Sequence, residues 1–320
     1  MILITGAGGY IGAHVNKLMH DKGYQTIVLD NLINGHKEMV KWGEFIEGDL
    51  KDTKLLKSVF EKYDIEAVMH LAALASVKES VEFPQKYYKN NFQYTLNLLN
   101  VMEKFNVNKF IFSSTASVYG EPEFIPISEE HHLKPINPYG KSKLMVENFL
   151  LEKSKKSDFN YVALRYFNAS GADLSGEIGE IHVPETHLIP IVLDVALGKR
   201  EKIAIFGDDY PTPDGTCIRD YVHVNDIAAA HFKGFEFLDN NKSGIFNLGM
   251  GKGFSVKEII ESCEKVTSCE IPTIVEDRRE GDPAILIADN KKAEKVLKWK
   301  SKFNNIDDII ESAYNFQIKI

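Results

Sequence analysis

In the run NPYGKSK, residues 137–143, Tyr139 and Lys143 stand four residues apart. Asn137 can cap a helix, and Pro138 fits a first turn, where a missing N–H costs little. Positions i and i+4 of a helix share a face, so a phenol and an ammonium come side by side. A phenol of ordinary pKa ~10 is a poor base at neutral pH, and a neighbouring positive charge favours its ionised form. The pair is suited to taking a proton from a hydroxyl. Taken alone, the run also reads as the ordinary start of a surface helix, so its company has to decide.

That company is chemical. FSSTASVYG places Ser113, Ser114 and Thr115 at the end of an apolar run, where a hydroxyl can bond and orient a reacting oxygen. At the other end of this half, ITGAGGYIGAH carries Gly6, Gly9 and Gly12 between an apolar strand and a helix. Glycines there allow a sharp turn and a close helix, whose free N–H groups and dipole favour a pyrophosphate. The next apolar run closes on Asp30 in VLDNL, a carboxylate able to accept from an adenosine ribose and to repel a 2′-phosphate, which favours NAD over NADP. Asp49, in EGDL, ends the following run and can reach the adenine amino group or simply open a turn.

These groups need a scaffold that gathers them. Strands are expected over residues 1–5, 25–30, 45–49, 66–72, 109–114 and 161–167, with helices in IGAHVNKLMHDKG, DTKLLKSVFEKY, NNFQYTLNLLNVMEKF and from NPYGKSK. Alternating strands and helices with nearly continuous apolar strands predict an α/β fold, a doubly wound parallel (Rossmann) sheet that binds ligands at its carboxyl edge. After residue 168 glycine, proline and acidic residues interrupt the rhythm, and later helices are expected in VKEIIESCEKV and IDDIIESAYNF. This divides the chain into a cofactor domain, 1–168, and a smaller mixed α/β substrate domain, 169–320, with some segments returning to the first.

Bulk properties narrow the partners. The chain has 320 residues, 44% of them hydrophobic, and a net charge of −8. No block of Lys/Arg offers a surface for nucleic acid or an anionic membrane, and no apolar run approaches the ~20 residues that span a bilayer. Cys217, Cys263 and Cys269 form no CxxC pair, and Met1 leads straight into MILIT without a leader, which points to a reducing cytoplasm. No metal ligand set is assigned.

The order of glycine loop, strand-end hydroxyl and Y-x-x-x-K resembles the short-chain dehydrogenase/reductase superfamily. From ITGAGGYIGAH through HLAA, YYKNN, LRYFNASGA and FGDDYPTPDGTCIRDYVHV to RREGD, the chain resembles its UDP-glucose 4-epimerase branch. That resemblance implies NAD contacts from Tyr10, Ile11, Asp30, Asn31, Leu32, Ile33, Asn34, Gly35, Asp49, Leu50, Leu71, Ala72, Ala73, Asn90, Tyr139, Lys143 and Phe167. It implies UDP-sugar contacts from Thr115, Asn168, His187, Leu188, Ala204, Phe206, Arg219, Arg279 and Asp282, the arginines suiting a diphosphate by their forked donors. It also implies a homodimer, for which 84–105 and 138–155 are candidate interface segments. The expected reaction interconverts UDP-glucose and UDP-galactose: Tyr139 takes the O4 proton, Lys143 tunes it and holds the ribose, Thr115 bonds the reacting oxygen, and the 4-keto sugar is reduced on its other face.

Departures from the branch pattern leave alternatives. Thr115 replaces a frequent serine and keeps the hydroxyl; Ala75 stands where some members have lysine; His187 matches a frequent asparagine. Leu286 falls where a tyrosine narrows the sugar pocket, which opens UDP-GlcNAc as a substrate. A UDP-glucuronate 4-epimerase and a non-catalytic NAD-binding protein also fit. A dehydratase or decarboxylase fits poorly, since Ala116 and Ser117 follow the strand-end hydroxyl where acidic residues are needed.

Overall fold

Five apolar runs of the first half become strands because side chains on both of their faces find cover, and a sixth, EFIE, adds a half-exposed edge strand. They are β1 Ile2–Thr5, β2 Thr26–Asp30, β3 Glu44–Glu47, β4 Ala67–His70, β5 Lys109–Thr115 and β6 Asn160–Tyr166. Then come β7 Asn168–Ser170, β8 Ile203–Phe206, β9 Ile218–His223, β10 Gly244–Leu248, β11 Gly253–Ser255, β12 Thr273–Glu276 and β13 Ile285–Leu286. The computed structural model describes residues 1–240, 242–279 and 281–320; Glu280 of the RREGD run lies outside the described residues.

A seven-stranded sheet runs in the order β10-β6-β5-β4-β1-β2-β3, and every neighbouring pair in it is parallel. β1 lies between β2 and β4, so the sheet grows outward in both directions from it, and the crevice beside β1 is the switch point where ligands bind in such sheets. On one face α1 (Tyr10–Asp21) contributes Val15 and Met19 to a continuous apolar cluster. On the other, α2 (Thr53–Lys62), α3 (Val77–Glu82), α4 (Pro84–Tyr87), α5 (Tyr94–Lys104) and α6 (Pro138–Ser154) follow in chain order. Leu56, Leu98, Leu99, Val146 and Leu150 are buried on this side. The doubly wound parallel sheet expected from the alternating pattern is the fold observed.

NNFQYTLNLLNVMEKF, expected as one regular helix, opens instead as a wider π-type turn over Tyr88–Gln93 before α5 begins. Three bonds hold it open. Thr95 Oγ1 donates back to the Asn91 carbonyl at 2.7 Å, and the Asn91 carboxamide bonds both the N–H and the carbonyl of Leu74 at 2.9 Å.

Beyond residue 168 the helices are α7 (Leu188–Ala196), α8 (Val224–Leu238), α9 (Val256–Thr267) and α10 (Ile306–Gln317). Part of this half rejoins the large sheet. β10 pairs with β6, and α8 buries Ile227, Ala228, Ala230 and Phe235 in the same cluster as α1. The remainder forms small sheets, β9 with β7, β11 and β13, and β8 with β12. They pack on α7, α9 and α10 around Ile189, Ile203, Tyr221, Ile259 and Ile310. Among the described residues no helix is long and apolar enough to cross a membrane.

Candidate active site

Parallel strands end on one edge, and the candidate residues collect there because each closes or follows a strand. Gly6 follows β1, Asp30 closes β2, Asp49 and Leu50 follow β3, Leu71, Ala72 and Ala73 follow β4, Thr115 closes β5 and Phe167 follows β6. Two glycines make the crevice possible. Gly6 has φ +81°, and a Cβ on it would lie 2.4 Å from the Ala72 nitrogen. A Cβ on Gly12 would lie 2.2 Å from the Gly6 carbonyl oxygen, so α1 sits directly on the turn.

The outer side of that turn is open. A Cβ on Gly9 would meet only the Gly6 oxygen, at 3.4 Å, and the N-terminus of α1 has no side chain capping it. A helix end of this kind fits a pyrophosphate. Asp30 reaches over to the same turn: its carboxylate accepts the N–H groups of Gly8 and Leu32, both at 2.8 Å. Asn31 donates to Asp49 at 3.0 Å, and the His36 N–H bonds the Gly8 carbonyl at 2.8 Å, so residues 31–35 arch beside the loop, with Ile33 and Asn34 exposed. Asp30 and the uncapped helix end together fit a dinucleotide. Ile11 is half-buried on the first turn of α1. The Tyr10 hydroxyl donates to the Gly171 carbonyl at 2.5 Å, tying the loop to the second half. Asn90 donates to Asn91 at 3.0 Å and so supports the clamp on Leu74.

Asn137 caps α6 as expected, its Oδ1 accepting the Gly140 N–H at 2.8 Å. Tyr139 and Lys143 follow on the inward face. Lys143 is buried; its Nζ donates to the Ser113 carbonyl at 2.8 Å and lies 4.9 Å from the Phe112 ring centroid and 6.0 Å from that of Tyr139. Burial lowers its pKa to about 7, against the pull of Glu147. The Tyr139 phenol is shifted upward, because burial disfavours its ionised form more than the Thr115 hydroxyl favours it. The sequence pattern predicts a phenol lowered by Lys143 together with the positive ring of a bound NAD; in the folded chain burial acts the other way, disfavouring the charged form of each member of the pair.

Groups beneath this pair carry little sequence signal. His70 closes β4 with its ring nitrogens 2.7 Å from Thr5 Oγ1 and 2.8 Å from Thr95 Oγ1, and burial, then the charge of Lys143, hold it neutral, at about 3. Glu147, one turn beyond Lys143, accepts from Ser114 and from Arg165, whose guanidinium also donates to Tyr119 at 2.9 Å. Glu147 repeats the Tyr139–Lys143 spacing and was open to inference from it; a guanidinium inside the apolar run YVALRYF was not.

The second set divides in two. On β8, Ala204 and Phe206 are half-buried, and the Arg279 guanidinium carbon lies 3.8 Å from the Phe206 ring centroid. Arg219, on β9, bonds the Asp282 carboxylate and stands in register with Leu286 of β13. Leu286 in turn packs against the cluster that includes Ala116, Val118 and Phe167, which links this group to the ends of β5 and β6. Asn168, the next residue, pairs in register with Tyr221 of β9.

His187 lies apart from these groups. It precedes Leu188 at the start of α7, and its Nδ1 is 2.8 Å from Glu180 and 3.0 Å from Glu185. Burial opposes its charge, but the two carboxylates outweigh burial and raise it to about 10. The same carboxylates act, after burial, to raise the phenol of Tyr10, whose hydroxyl reaches across to the Gly171 carbonyl.

A profile of the NAD dependent epimerase/dehydratase family matches residues 2–249, from β1 to the end of β10. The chain is 50% identical over 316 residues, 98% of its own length and 95% of the relative's, to a UDP-glucose 4-epimerase of Halalkalibacterium halodurans. A crystal structure of a UDP-glucose 4-epimerase superposes with a TM-score of 0.97 at 51% identity, covering 99% of this chain and 97% of that one. Another, from Bifidobacterium longum in complex with NAD+ and UDP, gives a TM-score of 0.95 at 41% identity, covering 99% and 98%. The glycine turn, the strand edge and the Tyr139–Lys143 face all fall within the matched span, and the chain belongs to the NAD dependent epimerase/dehydratase family.

Proposed function

We propose that the protein is a UDP-glucose 4-epimerase, interconverting UDP-glucose and UDP-galactose with NAD in the crevice beside β1. One observation carries the reading: Thr115, Tyr139 and Lys143 meet at the carboxyl edge of the sheet that also holds the open glycine turn. When bound there, NAD supplies reversible oxidation of the sugar carbon, and its positive ring favours the Tyr139 phenolate that burial disfavours. Tyr139 takes the O4 proton and returns it, Thr115 bonds that oxygen, and Lys143 holds the ribose and adds positive charge. Arg219, Arg279, Phe206 and Asp282 hold the UDP end, with Asn168, His187, Leu188 and Ala204 beside them, so that the 4-keto sugar turns its other face while the nucleotide stays anchored.

The test is to incubate purified protein with UDP-galactose without adding NAD. UDP-glucose should form; no conversion of any UDP-hexose by protein that carries NAD would leave a non-catalytic binding protein instead. A second reading, acceptance of UDP-GlcNAc, rests on Leu286, which packs against the cluster that includes Phe167 and Ala116 with a side chain smaller than tyrosine.

In the same proposal the division near residue 168 separates cofactor from sugar binding, with α8 and β10 returning to the cofactor side. The protein is a homodimer through α6 and the turn before α5, where Tyr88, Pro135, Leu144 and Met145 line an apolar groove and Leu151 is exposed. A cytoplasmic location suits the three unpaired thiols of Cys217, Cys263 and Cys269.

A further inference from the structure

The segment between β7 and α7 brings Glu180, His182, Glu185 and His187 together, with one ligand atom from each within 4.8 Å of all the others. The separations follow a pattern. His187 Nδ1 lies 2.8 Å from Glu180 Oε1 and 3.0 Å from Glu185 Oε1, and His182 Nδ1 lies 3.1 Å from Glu180 Oε1 and 3.6 Å from Glu185 Oε2. Four ligands at ~2.0–2.1 Å from a zinc-like ion stand about 3.3 Å apart along the edges of a tetrahedron. The observed distances bracket that edge.

Direction supports the same reading. His182 Nδ1 is buried and makes no hydrogen bond, although Glu180 is within reach. A nitrogen left in this way can turn its lone pair to a common centre, whereas His187 Nδ1 shares a hydrogen bond with Glu185 Oε1 at 3.0 Å, whose proton a cation would replace. The Glu185 carboxylate is fixed from outside by the N–H groups of Thr186, at 2.7 Å, and His187, at 2.8 Å, as the outer contacts of a metal site fix its ligands. Access exists too: the carboxylates are covered, while the His187 side chain is 51% exposed.

We propose that Glu180, His182, Glu185 and His187 bind one divalent cation of the zinc or cobalt type. Two imidazole nitrogens and two carboxylate oxygens suit such an ion, whereas calcium and magnesium demand more oxygen ligands and no nitrogen. The cation clamps the segment 180–187 onto the start of α7, and it occupies the Nδ1 of His187. The assignment goes beyond the epimerase reading and does not depend on it.

The test is spectroscopic. Full-length, tag-free protein with its bound cofactor is treated with a chelator, dialysed and titrated with Co2+. One equivalent per chain should bind, with the visible absorption of four-coordinate cobalt, and zinc should displace it. His182→Ala and Glu185→Gln should each weaken binding by at least ~10- to 100-fold, the range that loss even of outer contacts produces. Near-UV circular dichroism shows whether each variant is folded, and the wild-type titration stands regardless of them. Absence of that absorption in the wild type would overturn the assignment, as would unchanged affinity in folded His182→Ala.

Discussion

The Glu147 carboxylate and the Arg165 guanidinium form a two-pronged ion pair beneath Lys143, Nε to Oε1 at 2.9 Å and Nη2 to Oε2 at 2.5 Å, with both side chains 2% exposed. Ser114 and Tyr119 complete it, so α6, β5 and β6 are locked together where Tyr139 and Lys143 project. Glu147→Ala leaves a guanidinium buried without its partner and should cost about 3–5 kcal/mol. A double change to Glu147→Leu with Arg165→Met should recover much of that, since the desolvation penalty then disappears with the charges. Denaturant unfolding of the two variants checks both signs.

Tyr139→Phe removes one oxygen from a buried ring and should leave the fold and bound NAD in place. Turnover should fall by about 10²–10⁴, the usual worth of a positioned acid–base group. The readout is epimerase rate per mole of bound NAD; a loss smaller than tenfold would take the phenol out of the chemistry.

Gly12→Ala forces a methyl group to within 2.2 Å of the Gly6 carbonyl, a backbone atom that cannot swing aside. Overpacking of this kind costs about 1–3 kcal/mol. Because relief requires α1 to lift off the turn, the variant should also lose NAD, measured as cofactor released from equal amounts of protein on denaturation.

Four buried histidines predict acid sensitivity. Burial lowers His14 and His231 to about 4 and His70 and His223 to about 3. Unfolded, each titrates near ~6.5. Between these values the unfolded chain binds protons that the folded chain does not, so stability rises with pH up to about 6.5 and is lost below it. Four such groups set a limiting slope of about 5 kcal/mol per pH unit, of which Asp220, whose carboxyl burial pushes up to about 7, offsets about 1 in the same window. Unfolding measured at pH 4.5, 5.5 and 6.5 should show a steep fall on acidification, less steep in His70→Gln.

Leu286→Tyr places a larger ring against the cluster that includes Phe167 and Ala116. Turnover of UDP-GlcNAc should drop at least tenfold while UDP-galactose is little affected, which a panel of the two sugars reads directly.

The sequence made the first half legible because each element there carries its own signal. MILIT and KFIFSS are apolar throughout, the glycines mark the turn after β1, and Asn137–Pro138 announces α6. α8 and β10 carried weaker signals. VNDIAAAHFKGFEFL is amphipathic, but its partner α1 is more than two hundred residues earlier, and no local pattern states that distance. The site was legible where spacing encodes proximity, as for Tyr139 and Lys143. It was illegible where charge meets charge across the fold, as for Arg165 with Glu147, and where burial acts on the Tyr139 phenol, which no local spacing states. His187 was singled out by the family resemblance alone, yet the carboxylates around it came into view only once the segment 180–187 had folded on itself.

The late return of β10 to the large sheet has a consequence for synthesis. Until residues 244–248 leave the ribosome, β6 is an open edge carrying the apolar row Tyr161, Val162, Ala163 and Leu164, an invitation to pair with another nascent chain. At roughly 5–20 residues per second that exposure lasts several seconds or more. Yield at high expression rates should therefore depend on holdase chaperones more steeply than the stability of the finished protein would imply.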